Sequence, residues 1–176
     1  LLAFLPGRAQ WPEYRGGQGL QGTTRLSLPA QAGVLWTFQA SDQLKSSPVI
    51  HNNRIVIADT GGMVYCLDGQ GRKIWTYAAG NSIEAPALIL ENTVYIGDLS
   101  GTLYALSLAD GSLRWKYEAD NQIMGAPNWW TDGRQTRLLV GSYDFYLHCL
   151  DAGTGRLIWQ YEASNYLHAT VGIAGN

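Results

Sequence analysis

Two side chains in loop segments could do chemistry together, a carboxylate and an imidazole. Glu84 and His168 each lie two residues before a recurring turn position, which is Pro86 in one repeat and Thr170 in another. Beside one cavity, such a pair could bind a ligand or transfer a proton. The more common role of such loop residues is simply to be solvated. No spacing among the Asn, Asp and Glu residues singles out a ligand set, so the sequence assigns no catalytic, cofactor-binding or metal-binding residue.

A turn rich in aromatic residues is a second candidate site. Phe145 stands where two earlier repeats have Gly62 and Gly101. Turns of this kind favour glycine because they need a positive φ, so we expect this turn to change shape. Its rings could contact a protein or sugar partner, or pack on Trp129 and Trp130 in the adjacent strand. The candidate loop residues on the face around a central channel are Glu84, Asn121, Tyr143, Phe145 and His168.

An internal repeat must position these residues. Four short segments share a tryptophan, and these tryptophans are 39, 40 and 44 residues apart: Trp36, Trp75, Trp115 and Trp159. Within each complete repeat a small residue precedes a leucine by nine residues, as Ala58 precedes Leu67. A spacing that never varies predicts a hairpin whose register cannot slip.

Each repeat divides into four short strands. In the second repeat they lie at about 85–90, 93–97, 102–106 and 113–117, separated by turns that contain Asn, Asp and Gly. Four antiparallel strands in about 40 residues, repeated, predict an all-β fold, a β-propeller of four-stranded antiparallel blades that is here an incomplete ring. A β-sandwich is the alternative, but it does not require a tryptophan at the same point of every repeat.

The repeat tryptophans are predicted to be structural. Each lies on the outermost strand of its blade, and a tryptophan buries roughly 150–250 Å², enough to fasten one blade to its neighbour. Turn glycines precede three of them, and we expect both Gly153 and Gly155 to adopt positive φ. The predicted docking residues are Trp36, Trp75, Trp115, Trp159, Gly71, Gly111 and Gly155.

Composition excludes several classes of protein. The chain has 176 residues, 46% of them hydrophobic and only 15% charged, which excludes a disordered tail and a coiled coil. A net charge of −2 without a basic stripe disfavours nucleic acid as a partner. No run of about 18 apolar residues predicts a membrane span. Cys66 and Cys149 show no metal-ligand spacing and are predicted to be buried free thiols, with a disulfide across the fold as the alternative.

The first ten residues differ from the rest. An apolar run followed by a Pro-Gly breaker and small residues predicts that residues 1–10 are a signal-peptide remnant, and hence an exported protein of the bacterial periplasm or the extracellular space. The alternative is an N-terminal arm packed on the domain. No cysteine follows the run, so a lipoprotein anchor is not supported. Residues 11–34 are then a lead-in segment and residues 35–176 the repeats.

One stretch of the chain resembles a known motif. From Cys149 to Trp159 it is similar to the tryptophan docking motif of the PQQ-like (quinoprotein-type) β-propeller repeat family, PQQ being pyrroloquinoline quinone. The regions around Cys66 and Ala105 match in part, and residues 11–16 resemble the segment that often precedes the first blade of exported members. The resemblance implies a propeller of which about three blades are complete and a fourth begins.

The resemblance is specific for the family and weak for any one activity. Its members include quinoprotein alcohol dehydrogenases, which hold PQQ and calcium in eight blades. They also include the propeller lipoprotein of the outer-membrane barrel assembly machinery, which binds partner proteins and no cofactor. We therefore expect an exported module for binding or scaffolding, without catalysis and without a cofactor. The alternatives are a fragment of a PQQ- and calcium-dependent oxidoreductase and a sensor or carbohydrate-binding ectodomain.

The expected partners follow from the incomplete ring. Three blades leave strand edges and two blade faces exposed. We expect these surfaces to be covered by a protein partner, by the missing remainder of the propeller, or by self-association that closes the ring.

Overall fold

The computed structural model describes residues 10–23, 31 and 33–174. The predicted signal-peptide remnant lies outside the described residues except for Gln10, and so does Asn176. Within the described residues, no helix is long and apolar enough to cross a membrane. The elements are a 3-10 turn, Tyr14–Gly16, and the strands β1 (Val49–His51), β2 (Arg54–Ala58), β3 (Met63–Asp68), β4 (Lys73–Ala78), β5 (Leu88–Leu90), β6 (Thr93–Gly97), β7 (Thr102–Ser107), β8 (Leu113–Glu118), β9 (Asn128–Thr131), β10 (Thr136–Gly141), β11 (Tyr146–Asp151) and β12 (Leu157–Glu162).

The strands form three four-stranded antiparallel sheets, each built from four consecutive strands. Blade 1 is β1 to β4, blade 2 is β5 to β8 and blade 3 is β9 to β12. Strands β1, β5 and β9 are the innermost of their blades, and β4, β8 and β12 the outermost. The prediction of an all-β, incomplete propeller is confirmed.

The hairpin register repeats from blade to blade. The second and third strands of each blade close on equivalent pairs, which are Ala58–Val64, Gly97–Leu103 and Gly141–Leu147. A bulge then interrupts the pairing of the third and fourth strands just before the leucine of the repeat, between Cys66 and Leu67 in blade 1 and at the matching place in the others. The constant spacing in the sequence therefore reflects one hairpin geometry used three times.

The hydrophobic core lies between blades rather than at the centre of the molecule. Side chains of blade 1 such as Val56 and Val64 pack with Ile89 and Ile96 of blade 2. A second cluster joins blade 2 to blade 3 in the same way. Cys66 and Cys149 are buried and free, as predicted. Burial raises the pKa of the Cys66 thiol to about 11, so it stays protonated at neutral pH.

Three of the four docking tryptophans contact the glycine turn of the following blade, and Trp159 does not. Trp75 Nε1 donates a hydrogen bond to the carbonyl of Leu108 (3.0 Å), and a Cβ on Gly111 would lie 2.7 Å from the Trp75 ring. Trp36 meets Gly71 and Trp115 meets Gly155 in the same arrangement. Each of these glycines has a positive φ, whereas Gly153 does not, so the expectation for Gly153 is wrong.

The lead-in segment crosses the free edges of the innermost strands. Trp11 forms an antiparallel bridge with Ile50 of β1, through backbone bonds of 2.7 and 2.8 Å. The Pro12 carbonyl accepts a bond from Ile89 N of β5 (2.6 Å). Gln18 Nε2 donates to the carbonyl of Trp129 in β9 (2.7 Å). The segment therefore joins all three blades on the side of the central channel.

Candidate functional site

The loops that enter the innermost strands form one face, and backbone bonds show which positions correspond. The turn after the second strand of each blade donates to the loop before that blade, through Thr60 N to Gln43 O (2.9 Å), Leu99 N to Ser82 O (2.8 Å) and Tyr143 N to Gln122 O (2.9 Å). Two residues beyond each of these carbonyls stand Lys45, Glu84 and Met124. His168 holds the same place in the loop after blade 3, next to Leu167, whose N–H bonds to Ser142.

These four equivalent residues line one cavity. It has a volume of about 360 Å³ and is completed by Tyr14 of the lead-in segment and by residues next to the recurring turn position. Lys45 Nζ lies 2.7 Å from Glu84 Oε1, so the carboxylate of one loop is neutralised by the ammonium group of the loop before it. The structure thus brings Glu84 and His168 to the edge of one cavity. We call the four equivalent residues and Tyr14 the rim. Within it, the ammonium group of Lys45 is already paired with Glu84.

Sequence reasoning missed two members of this rim. Met124 was not chemically conspicuous, and Tyr14 belongs to the lead-in segment, which has no repeat to align it. Lys45 was visible as a polar loop residue, and counting back from Pro48 by one extra position would have aligned it with Glu84. The number of residues between the loop position and the turn position differs by one between repeats, and this difference hides the equivalence of Lys45 and Glu84.

Asn121, a candidate loop residue of this face, lies in the loop before blade 3. Its carbonyl accepts a bond from Ser142 Oγ (2.9 Å), and its side-chain Oδ1 accepts one from Gln122 N (2.9 Å). The bond from Ser142 holds the loop before blade 3 against the turn of that blade, and the bond from Gln122 lies within the loop. Asn121 does not line the rim cavity.

The lead-in segment also contains a carboxyl group with a buried oxygen atom, that of Glu13. One carboxyl oxygen of Glu13 is buried without a hydrogen-bond partner among the described residues. Burial raises the pKa of Glu13, and a hydrogen bond with the Trp129 side chain offsets this only in part. The protonated form of Glu13 is therefore favoured more than for an exposed glutamate.

Buried Asp–Tyr pairs support the turns of the first two blades. Tyr65 OH donates to Asp59 Oδ2 (2.7 Å), and Tyr104 OH donates to Asp98 Oδ2 (2.9 Å). Burial would raise the pKa of Asp59, but hydrogen bonds from Tyr65, from Ser41 and from backbone N–H groups outweigh it and lower that pKa. Burial and the Asp98 carboxylate together raise the pKa of Tyr104 to about 12. These pairs fasten the hairpin turn to the loop before it.

Blade 3 replaces this pair by a histidine and a displaced aspartate. Ser142 occupies the place of the buried aspartates, and His148 that of the tyrosines. His148 Nε2 lies 2.9 Å from Asp144 Oδ2, and its Nδ1 lies 3.0 Å from Tyr117 OH. Both members of the His–Asp pair are almost fully buried, with side-chain exposures of 3% and 6%. The pair holds the aromatic turn of blade 3 from below.

The turn of blade 3 keeps the shape of its glycine-containing counterparts, contrary to our expectation. Phe145 has a φ of 76°, close to 84° at Gly62 and 92° at Gly101. For a residue with a side chain this conformation costs about 1–3 kcal/mol. At Gly62 and Gly101 a Cβ would lie 2.5 Å from a loop carbonyl, so the loop opposite Phe145 must stand farther away. Asp144 and His148 supply the contacts that hold the turn.

The aromatic side chains of this turn also pack differently from the prediction. Tyr143 stacks on Tyr166, with ring centroids 4.9 Å apart and planes at 19°, and Phe145 lies 5.5 Å from Tyr166. Tyr143 also meets the His168 ring edge-on at 6.4 Å. The packing partners are thus in the loop after blade 3, and not Trp129 and Trp130.

Comparison with known proteins gives one family. The sequence model described as "Outer membrane protein assembly factor BamB" matches residues 23–128 and 71–164. Among curated protein sequences, none matches this chain. BamB from Moraxella catarrhalis superposes with a TM-score of 0.64 at 26% identity over 74% of this chain and 41% of that protein. The chain thus spans about two fifths of this relative.

Two further solved structures share the fold. Quinohemoprotein alcohol dehydrogenase from Comamonas testosteroni has a TM-score of 0.71 at 20% identity, covering 87% of this chain and 27% of that enzyme. The computationally designed Ika4 protein has a TM-score of 0.68 at 14% identity, covering 79% of this chain and 86% of the designed one. At these identities the likeness concerns the fold alone. The match of the sequence model, which spans most of the repeats, goes further: this chain belongs to the PQQ-like propeller family of the outer membrane protein assembly factor BamB.

Proposed function

We propose that this chain is part of an exported, non-catalytic propeller that binds or scaffolds a protein partner through its rim loops. The observation that carries the proposal is the course of the lead-in segment. Trp11, Pro12 and Gln18 bond to the free edges of β1, β5 and β9, so the lead-in segment already covers part of the channel side of the three blades. The loops around the rim remain exposed, and they present side chains from four repeats on one rigid face.

The rim residues do not fit PQQ with calcium. Calcium takes six to eight oxygen ligands, whereas the four equivalent rim positions supply Lys45, Met124, His168 and a single carboxylate, Glu84. Glu84 is ion-paired with Lys45 at 2.7 Å. Across the part of the chain that the structure describes, no group of three or more His, Cys, Asp and Glu side chains could hold a metal ion. The proposed function therefore involves no chemistry on this cofactor.

The family supports the location and the kind of partner. Its sequence model is named for an assembly factor of outer membrane proteins, which accords with an exported protein and with a protein as the ligand. The remainder of the ring is a further partner of this chain. We propose that additional blades, or a second copy, cover the outer faces of blades 1 and 3.

A photo-crosslinking experiment in the full-length protein tests the rim as the contact face. A photoreactive amino acid at Met124, on the rim, should give a discrete crosslinked partner in intact cells. The matched control is Gln70, an exposed residue in the turn between β3 and β4 at the opposite end of the blade. Crosslinks from Gln70 and none from Met124 would contradict the proposal. A rise in melting temperature on adding PQQ with calcium would instead favour the oxidoreductase alternative.

A further inference from the structure

Four aromatic side chains at the end of blade 3 form an exposed platform. We call Tyr143, Phe145, Tyr166 and His168 the blade-3 tip cluster. Tyr166 lies between the other two six-membered rings, 4.9 Å from Tyr143 and 5.5 Å from Phe145. Phe145 is 43% exposed and Tyr166 is 50% exposed. Flat, exposed aromatic surface of this kind is typical of a contact site.

The other blades show that the fold does not need these rings. The position of Phe145 is Gly62 in blade 1 and Gly101 in blade 2. The position of Tyr166 is Ser82 in the loop before blade 2 and Gln122 in the loop before blade 3. Blades 1 and 2 form the same turn without any aromatic residue there. The cluster is therefore an addition to the blade and not a part of its packing.

The backbone conformation of Phe145 is independent evidence that this residue has a functional role. It adopts a φ of 76°, a conformation that glycine takes easily and that a bulky residue rarely takes. Glycine at this position would relieve the strain, as it does in blades 1 and 2. Strained residues that the surrounding structure holds in place are found mainly at binding and catalytic sites.

Negative charge surrounds the platform. Asp144, between Tyr143 and Phe145 in the chain, accepts a bond from Asp120 N (3.2 Å), which places Asp120 beside the cluster. Glu162 pairs with Tyr146 across β11 and β12, next to the backbone bond between Ala163 and Phe145. Asp120 and Glu162 are exposed, and neither forms a salt bridge with any residue that the structure describes.

We propose that the blade-3 tip cluster binds an arginine side chain of a partner protein. Aromatic ring faces carry negative electrostatic potential and attract a planar guanidinium group, which stacks on them. Asp120 and Glu162 add charge of the sign that such a ligand requires. The inference rests on the proposed function as a protein-binding module, and it names the group that one part of the exposed face recognises.

The test uses the full-length protein and a defined probe. An acetylated, amidated pentapeptide with two arginines, Gly-Arg-Gly-Arg-Gly, is titrated while the aromatic NMR signals of Phe145 and Tyr166 are followed. The control peptide has citrulline, which has nearly the shape of arginine and no charge. We expect saturable shifts with arginine, and an affinity for the citrulline peptide lower by about tenfold, the loss of one cation–π contact. Equal affinity for the two peptides would overturn the proposal.

Three variants separate this site from a structural role. Phe145→Gly should abolish the shifts of Tyr166 while leaving the melting temperature equal or higher, because glycine relieves the positive φ. Asp120→Asn should weaken binding several-fold. Leu99→Ala, at the position of Tyr143 in blade 2, should leave binding unchanged. A large fall in the melting temperature of Phe145→Gly would assign the cluster to the core and overturn the proposal.

The failure of this inference can be told from the failure of the proposed function. Crosslinks from Met124 together with no peptide binding would keep the binding module and remove the arginine site. Shifts of Phe145 and Tyr166 with cello-oligosaccharides instead of the arginine peptide would identify the platform as a carbohydrate site, which contradicts the proposal.

Discussion

At the residue scale, one contact between a tryptophan and a glycine recurs from blade to blade. The Trp75 ring lies on the turn at Gly111, and a Cβ there would come 2.7 Å from the ring, which is closer than carbon atoms approach. Trp75 is 7% exposed and its N–H is bonded. Trp159 has the same sequence context but is 44% exposed, and none of the described residues places a glycine turn against its ring. The same motif therefore contributes more to the stability of the fold at Trp75, between two blades, than at Trp159, on the open face of blade 3.

The contrast predicts effects of very different size for the same substitution at two positions of the 176-residue chain. Trp75→Ala should lower the free energy of unfolding by about 3–5 kcal/mol, because it opens a cavity between blades and frees a buried carbonyl. Trp159→Ala should change it by less than about 1 kcal/mol, because the side chain is partly in water. Equilibrium urea denaturation followed by circular dichroism measures both. Equal losses would show that Trp159 is covered in solution.

At the scale of elements, the lead-in segment bonds to the innermost strand of all three blades. It adds a single bridge to β1 and single hydrogen bonds to β5 and β9, so it is not a fourth sheet. Gly16, with a φ of 73°, lies against the Trp11 ring, where a Cβ would come within 2.7 Å. The tight turn at Gly16 thus folds the segment back over its own tryptophan. This compact shape lets a short stretch contact three blades.

Removal of the tryptophan should loosen this connection. We expect Trp11→Ala to lower the free energy of unfolding and to speed amide hydrogen exchange at Ile50 and Ile89, whose N–H groups bond to the lead-in segment. Val34→Ala is the control, since Val34 is 84% exposed. Hydrogen exchange measured by NMR at these two amides tests the expectation. Unchanged protection in Trp11→Ala would mean that the bridge forms without the ring.

At the scale of the whole molecule, the arc of blades has two open faces. Next to blade 1, Trp36, Phe38 and Leu44 line an apolar cavity of about 330 Å³. Next to blade 3, Trp130, Leu139 and Trp159 line another of about 450 Å³. The corresponding surfaces inside the arc are buried, between blades 1 and 2 and between blades 2 and 3. This chain spans 41% of the BamB structure it matches. Under the proposed function, further blades or a second copy cover both faces.

The open faces predict that the 176-residue chain associates with itself. Size-exclusion chromatography with light scattering should show a mass above 19.3 kDa that rises with concentration. Trp159→Glu should shift the mass towards the monomer, because it puts a charge on one apolar face. Gln70→Glu, in the exposed turn between β3 and β4, adds the same single negative charge away from both faces and serves as the control. A stable monomer at all concentrations would show that the faces need no cover.

Much of this molecule follows from the sequence alone, because its fold is a repetition of local rules. The spacing of Trp36, Trp75, Trp115 and Trp159 determined the blades, and the nine-residue spacing determined the hairpin register. Both depend on contacts within about 40 residues. The two spacings also recur in every blade, so each repeat supports the strand assignment made from the others.

Contacts between different repeats were decided only by the tertiary structure. Lys45 pairs with Glu84, and Tyr143 stacks on Tyr166 and not on Trp129, because the rotation from blade to blade determines which loops meet. Phe145 has the positive φ of the equivalent glycines because its neighbours hold the turn in that shape. Local residue propensities do not predict this conformation. The course of the lead-in segment across three inner strands has no counterpart in the repeat. The lead-in segment occurs only once in the sequence, so it cannot be aligned with another repeat. Its position is determined only by its contacts with the packed blades.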